Sequence, residues 1–319
     1  MDYSKYKINS VIDWVEVTIK LKDASNHQTI RRHFPSTEDN IYVRPVDPTS
    51  ENGTSNTFSF RKQEPESAES FAKLMKVLQE KFPFSEEPII TGIEISVDAR
   101  SKAKSISELE EMAEIFLKFS KRPNKWRVCG RKGTHGEVMF VDNIGTKKIR
   151  NAVGQGLGLN SGNQGDPVAM RIYIKKTDNS GKQILDIKDQ RARIEVTLSG
   201  ADLPFQTIEG WGKFRFEQLA QPYFSFLKLK QNLTPLQKLI VNHDVRTRLA
   251  WNESVPEMQK RLRTRRVKSK LMNADSELNK RIRDALRKLS GRQGRAAKGW
   301  GANLTRTGIS TEIDAHPSV

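Results

Sequence analysis

Three short segments decide the fold: Gly92-Ile93-Glu94-Ile95-Ser96-Val97-Asp98, Met170-Arg171-Ile172-Tyr173-Ile174-Lys175-Lys176 and Arg193-Ile194-Glu195-Val196-Thr197-Leu198. Each alternates apolar and polar residues, and a β-strand sends residues i, i+2 and i+4 to one face. Ile93, Ile95 and Val97 therefore point one way, as do Ile172 with Ile174 and Ile194, Val196 with Leu198. If the strands share a sheet, its other face holds carboxylates, a tyrosine hydroxyl and cations. The ordinary reading of that pattern is a half-solvated antiparallel sheet. The sharper reading is a site suited to metal-assisted attack on a phosphate.

Outward from these segments, residues 11–22 read as a strand that alternates from Trp14 onward, and 23–34 as a polar connection. Residues 41–44 and 57–61 read as short strands. Residues 67–82 space Phe71, Leu74, Met75 and Leu78 as a helix does. Ser105-Ile106-Ser107-Glu108 has the form of a capping box and opens a helix to about Ser120. Strands at 125–130 and 136–142 precede a glycine-rich stretch, 151–167, expected to be flexible. Residues 213–227 are aromatic-rich and read as helical or mixed. The order of elements predicts an α+β fold of about 230 residues: an antiparallel sheet, duplicated or elaborated, with helices on one face. Beyond it, 235–251, 254–272 and 277–289 read as helices, the last capped by Asp275 or Ser276 and ended by Gly291. The expected division is a core at 1–230, a basic helical region at 231–290 and a disordered tail at 291–319.

The chain has 319 residues, 36% hydrophobic and 29% charged, with a net charge of +17. The excess is concentrated: residues 228–299 carry 20 Lys and Arg against 6 Asp and Glu. Such a segment is either a solvated helix face or a footprint for a polyanion, most often nucleic acid. No apolar run approaches the ~20 residues that span a bilayer, and the N-terminus lacks a signal-peptide core. With Cys129 as the single cysteine, neither an internal disulfide nor a CxxC metal site is available. A soluble cytoplasmic protein is expected.

Several familiar chemistries lack their sequence signatures, with His135 beside Gly133-Thr134 left as a lone candidate ligand. The five histidines fall in none of the HxH, HxxxH or HExxH spacings. Gly154-Gln155-Gly156-Leu157-Gly158 lacks the third glycine of a dinucleotide loop, and no Walker A motif is present. What remains is the polar sheet face. Glu94 and Asp98 lie on one face of a strand but about 13 Å apart, so joint binding of one metal needs a bulge or strong twist. Glu94 could instead pair with Glu195 of a neighbouring strand, and such hard oxygen ligands suit Mg²⁺ or Mn²⁺. Tyr173 could attack a phosphodiester, with Lys175 on the same face to neutralise charge and Arg171 or Lys176 to hold the backbone. The plainer reading of Tyr173 is a strand tyrosine packed at a sheet edge.

Taken together, these segments resemble the replication initiation factor family of rolling-circle initiators, with its related conjugative-element relaxases and filamentous-phage initiators. Val11-Ile12-Asp13-Trp14-Val15 resembles that family's opening hydrophobic-Asp-Trp-hydrophobic strand. Ile93–Asp98 resembles its R-I-D-I-A-V-D strand, Arg171–Lys175 its R-I-Y-x-K, and Arg193–Leu198 the R-x-E strand that follows. Gly92 and Glu94 depart from it, standing where arginine and aspartate are usual.

The resemblance implies nicking of one DNA strand at an origin. Tyr173 would become joined to the 5′ phosphate, with Lys175 stabilising the developing charge and Glu94, Asp98 and Glu195 holding a divalent metal. The freed 3′ hydroxyl would prime a polymerase, with a host helicase among the partners. Duplex or hairpin DNA, and the single strand after nicking, would contact Arg171, Lys176 and Arg193. The basic segment would add Arg261, Arg263, Arg265, Arg266, Lys268, Lys270, Lys280, Arg281 and Arg283. The competing expectation is a DNA-binding replication or regulatory protein without catalysis, whose α+β domain forms a homodimer.

Overall fold

Strand β1 (Tyr6–Ser25) is the spine of the sheet, and its long run of alternating residues pairs on both sides. In this computed structural model, the described residues are 1–34, 40–47, 53–120, 128–132, 137–140, 150, 153–154, 156, 158–161, 166–178, 183–238, 241 and 271–294. After β1 come α1 (His27–Arg32), β2 (Ile41–Pro45), β3 (Ser55–Gln63), α2 (Ala68–Lys81), β4 (Ile89–Ser101) and α3 (Ile106–Phe119). The second half supplies β5 (Val128–Lys132), β6 (Glu137–Phe140), β7 (Gly158–Ser161), β8 (Val168–Lys175), the small hairpin β9 (Thr177–Asp178) and β10 (Gln183–Ile184), and β11 (Arg191–Ser199). Short helices α4 (Ile208–Lys213) and α5 (Ala220–Tyr223) lead to β12 (Leu227–Leu229), β13 (Met272–Ala274) and α6 (Ser276–Gly294).

Nine of these strands form one sheet in the order β2-β3-β1-β4-β11-β8-β7-β5-β6, antiparallel at every pairing. The three segments that opened the reading are its centre: β4, β11 and β8 are adjacent, with Val97 opposite Ile194 and Ile194 opposite Ile172. The apolar face they make is covered by helices. Leu109, Met112, Ala113, Phe116 and Leu117 of α3 are buried with it, and Phe71 of α2 meets Phe60 of β3 with ring centroids 6.2 Å apart. The fold is thus α+β with its helices packed on the sheet's apolar side.

Local chemistry sets the helix starts. Ser67 and Ser70 form a reciprocal capping box for α2. At α3 the expected box is modified: Ser105 Oγ accepts from Glu108 N, but the Glu108 carboxylate takes the Ser101 hydroxyl (2.5 Å). Ser101 Oγ in turn accepts the Ser105 N–H (2.9 Å), so the two orphan groups are joined through a relay.

Two expectations about the C-terminal region are corrected. Helix α6 does not end at Gly291 but runs to Gly294, because its last turn is held by tertiary bonds: Gln293 Nε2 donates to Glu66 O (3.2 Å) and Arg292 donates to Ser10 O. Nor is the helix an appendage. Leu278, Ile282, Leu286 and Leu289 belong to the same buried cluster as Val15, Phe60 and Phe116, and Ser10 Oγ donates to Ala285 O (2.8 Å). The proposed helices at 235–251 and 254–272 and the tail fall largely or wholly outside the described residues.

Asp275 locks this helix in place. Its Oδ1 accepts the Leu278 N–H (3.2 Å), its Oδ2 accepts the buried Tyr3 hydroxyl (2.5 Å), and its N–H donates to Phe226 O (2.9 Å). Asp275→Ala removes a cap worth about 1 kcal/mol and leaves a buried hydroxyl unpaired at about 1–3 kcal/mol. Urea denaturation should show a loss of roughly 2–4 kcal/mol, and adding Tyr3→Phe should recover part of it by removing the orphaned hydroxyl.

Candidate functional site

The polar face of the central strands is not solvated. Glu94, Ser96 and Asp98 of β4 are buried, as are Arg191, Arg193 and Glu195 of β11. Charges taken out of water must be paired, and here they pair with one another across strands. Glu94 stands opposite Thr197, Ser96 opposite Glu195 and Asp98 opposite Arg193; Glu195 stands opposite Arg171 and Arg193 opposite Tyr173 on β8.

A bulge in β1 completes the group. Ile12 pairs with Ile95 but Trp14 with Glu94, so Asp13 is an extra residue in the ladder. Before it Tyr6, Ser10 and Ile12 are the buried positions, and after it Val15, Val17, Ile19 and Leu21. The parity of the buried positions flips, and Asp13 turns onto the polar face beside Trp14. Its carbonyl, freed from the ladder, accepts the Glu64 N–H (2.7 Å), and its carboxylate accepts the Ser96 hydroxyl.

The resulting network is dense. Arg193 donates Nε and Nη2 to the two oxygens of Asp98 (2.6 and 2.8 Å), and Nη1 to Asp13 Oδ1 (2.8 Å) and Glu195 Oε1 (3.3 Å). Arg191 Nε lies 3.2 Å from Asp98 Oδ2. Arg171 Nη2 lies 2.6 Å from Glu195 Oε2 and donates to Glu94 at 3.1 and 3.2 Å. Thr197 Oγ1 donates to Glu94 Oε2 (2.7 Å), and Tyr173 Oη donates to Glu195 Oε1 (2.5 Å).

Burial governs how these groups titrate. It is the largest cause raising the pKa of Glu195; the charge of Glu94 adds to it, against the pull of Arg171 and Arg193. Asp13 is also raised, by burial first, with Arg193 opposing. Tyr173 is pushed well above the usual phenol range by burial and by the Glu195 charge. Arg193 loses hydration, yet its hydrogen bonds to Asp98 and the charges of Asp98 and Asp13 outweigh that and hold it protonated.

Asp13, Glu94 and Glu195 each offer a carboxylate oxygen, and those atoms lie within 4.8 Å of one another. Among the described residues this is a group that could hold a metal ion. The donor set is all hard oxygen, which fits a divalent cation. The charge requirement is visible too: the Arg171 guanidinium already sits between Glu94 and Glu195 as a cation. Its side chain is 47% exposed, so it can leave without opening the core.

Of the residues singled out from sequence, Glu94 and Glu195 meet, together with Tyr173 and Arg171. Asp98 does not join them; it is saturated by Arg193 and Arg191, and strand rise keeps it from Glu94. Lys175 pairs with Asp178 (2.5 Å) and Lys176 donates to Gly154 O. Arg193, expected to contact DNA, is 2% exposed with its guanidinium committed to carboxylates, so it is a structural centre rather than a phosphate contact. Lys280 and Arg283 are exposed on α6, and Arg281 pairs with Glu277 (3.1 Å). Arg261, Arg263, Arg265, Arg266, Lys268 and Lys270 lie outside the described residues. Asp13 was not among the candidate ligands read from the sequence; the parity flip between Ile12 and Val15 was the available signal.

Two glycines are explained by close approach. A Cβ on Gly92 would lie 3.0 Å from Trp14 Cζ3, so the absent side chain makes room for the indole. A Cβ on Gly158 would lie 3.3 Å from Tyr173 Cβ, and its absence lets β7 pass close beside the tyrosine.

No family model matches the chain, and no curated protein matches it. Among solved structures, a rolling circle replication initiator protein from Geobacillus stearothermophilus aligns with 75% of this chain and 97% of its own, at 14% identity and a TM-score of 0.36. A likeness at that level carries no argument about the site, which rests on its own geometry.

If Arg171 stands where a cation belongs, Arg171→Ala should leave Glu94 and Glu195 repelling each other and lower the thermal midpoint. Millimolar Mn²⁺ should then raise the midpoint of the variant more than that of the parent chain, by mass action on the folded state. Differential scanning fluorimetry with and without EDTA checks this, and an equal response of both proteins would remove the three carboxylates as a metal site.

Proposed function

We propose that the chain is a replication initiator or relaxase that nicks one DNA strand through Tyr173, with Glu195 as the group that takes its proton. The observation that carries this reading is the 2.5 Å hydrogen bond from Tyr173 Oη to Glu195 Oε1, inside a cluster of carboxylates and guanidinium groups. A phenol held far above neutral pKa is a poor nucleophile unless a base receives its proton as it attacks. Glu195 is positioned for that, and burial raises its affinity for the proton.

In the proposed step Tyr173 Oη bonds to phosphorus and the phosphorus–O3′ bond breaks. The phenolic proton passes to Glu195, and the 3′ oxygen leaves as a hydroxyl after protonation from solvent. Arg171, half-exposed beside Glu94 and Glu195, is placed to turn toward the phosphate and balance its charge. Lys175, on the same strand face, would add to that if released from Asp178. A divalent metal, Mg²⁺ or Mn²⁺, held by Asp13, Glu94 and Glu195 would polarise the phosphate oxygens. Lys280 and Arg283 on α6 would contribute phosphate contacts that position the DNA.

The competing reading is a DNA-binding replication or regulatory protein without catalysis. One observation favours it: Glu94, Asp98, Arg193 and Glu195 are all buried and paired with opposite charges within the chain.

Supercoiled DNA carrying the cognate origin, incubated with Mn²⁺ or Mg²⁺, separates the two. The parent chain should yield relaxed circles and a protein-linked 5′ end, and Tyr173→Phe neither. A Tyr173→Phe protein that still forms the adduct would overturn the assignment, and a parent chain that binds without nicking would favour the competing reading. The pH profile gives a second check. Glu195 must be ionised to accept the proton, so the rate should rise with pH through a pKa above the ordinary glutamate value of about 4.3. Arg171→Ala removes a charge that holds this pKa down and should move the acid limb to higher pH.

A further inference from the structure

The sheet face that carries the acidic group continues beyond it, toward the β2 edge, with a different composition. On β2, Ile41 and Val43 pack into the core, so Tyr42 and Arg44 point to the opposite, polar side. Tyr42 stands opposite Arg61 of β3, and Arg61 opposite Glu16 of β1. The Arg61 guanidinium carbon lies 4.1 Å from the centre of the Trp14 ring, and Trp14 is opposite Glu94. Tyr42 is 56% exposed and the Arg44 side chain 64% exposed. Tyr42, Arg61, Trp14, Glu94, Glu195 and Tyr173 thus step across six successive strands, one residue on each. At ~4.8 Å per strand the row covers about 24 Å across the sheet, and its register shifts carry it along the strands as well.

Aromatic rings interleaved with arginines are what a single strand of nucleic acid requires. Every base offers a π-face to stack on tyrosine, tryptophan or guanidinium, and the cations follow the backbone without reading sequence. Among the described residues nothing calls for Tyr42 to be exposed: Ile41 and Val43 pack on the other face of β2, and a polar residue would serve a solvated edge strand better. Local charge is complementary as well, since Arg44 and Arg61 share the single carboxylate of Glu16 (3.5 and 2.7 Å).

We infer that the outer face of β2, β3 and β1 is a stacking track for single-stranded DNA, with Tyr42, Arg44 and Arg61 its contact residues and Trp14 the ring that seats the Arg61 guanidinium. The direction of the track toward the carboxylates and Tyr173 rests on the nicking reading; the binding itself does not. On this inference a strand lies across the sheet and reaches the carboxylates with its bases already held.

The test is fluorescence anisotropy of a labelled oligo-dT with the full chain in EDTA, so that neither metal nor nicking contributes. Tyr42→Ala should weaken binding about 5- to 20-fold, the low end of the range for one stacked base. Tyr42→Phe should bind as the parent does, because stacking needs the ring and not the hydroxyl. Arg61→Lys should lose affinity while keeping its charge. Lys73→Ala, at an exposed position of helix α2, is the control for non-specific charge. Unchanged affinity of Tyr42→Ala, with circular dichroism showing it folded, would overturn the inference, as would equal losses in Tyr42→Ala and Lys73→Ala. Failure of the track would therefore appear in Tyr42→Ala binding, and failure of the nicking reading in the covalent adduct assay.

Discussion

The guanidinium of Arg193 is the interaction on which the rest depends. It is buried among four strands and bonds carboxylates from three of them: Asp13 of β1, Asp98 of β4 and Glu195 of β11. Isolated, any of these charges would be prohibitive in the interior. Together they satisfy one another, and the arrangement holds only if the strands keep their register to a single residue. A slip of one position would send every member of the set to the apolar face. Removing Arg193 would leave three buried carboxylates facing each other, a change of the kind that costs about 3–5 kcal/mol.

That same concentration of charge separates the members by mobility and by proton affinity. Arg193 is fixed and stays protonated. Arg171 carries an equal charge but is half-exposed, so it can pair with Glu94 and Glu195 in one state and with an incoming anion or none in another. Burial raises Glu195 and Asp13, and raises Tyr173 further. A phenol and a carboxylate sharing one short hydrogen bond, flanked by a movable cation, are groups between which a proton can be passed. A sheet stabilised only for its own sake would gain more from apolar residues at these positions.

The bulge at Asp13 and the C-terminal helix serve this centre from opposite sides of the sheet. The bulge puts Asp13 and Trp14 on the polar face together, so a third carboxylate joins the site beside the indole, and the Glu64 N–H absorbs the backbone carbonyl it frees. Helix α6 braces the β1 segment next to the bulge, through Ser10 and Ala285, and Asp275 ties that helix to the N-terminus. Basic residues that looked like a separate arm in the sequence, Lys280 and Arg283, are in consequence carried on an element packed into the main core.

Alternation alone determined much of this protein. Ile93, Ile95 and Val97 against Glu94, Ser96 and Asp98 settled which side of β4 faces the helices, because side chains on a strand have a period of two. The same rule placed Tyr173 and Glu195 on one face and identified the α+β class, and the apolar stripe of Leu278, Ile282, Leu286 and Leu289 marked α6. Which polar residues touch was beyond it. Asp98 stood beside Glu94 as a candidate ligand until the cross-strand register gave it to Arg193, and Arg193 stood as a DNA contact until burial made it the hub. Asp13 shares the polar face with Trp14 only because of a bulge, and Gly291 failed to end its helix because Glu66 and Ser10 hold the turn beyond it. Periodicity is a property of neighbours along the chain. Register, bulges and ion pairing are settled between strands far apart in sequence, and they emerge only when the sheet is assembled.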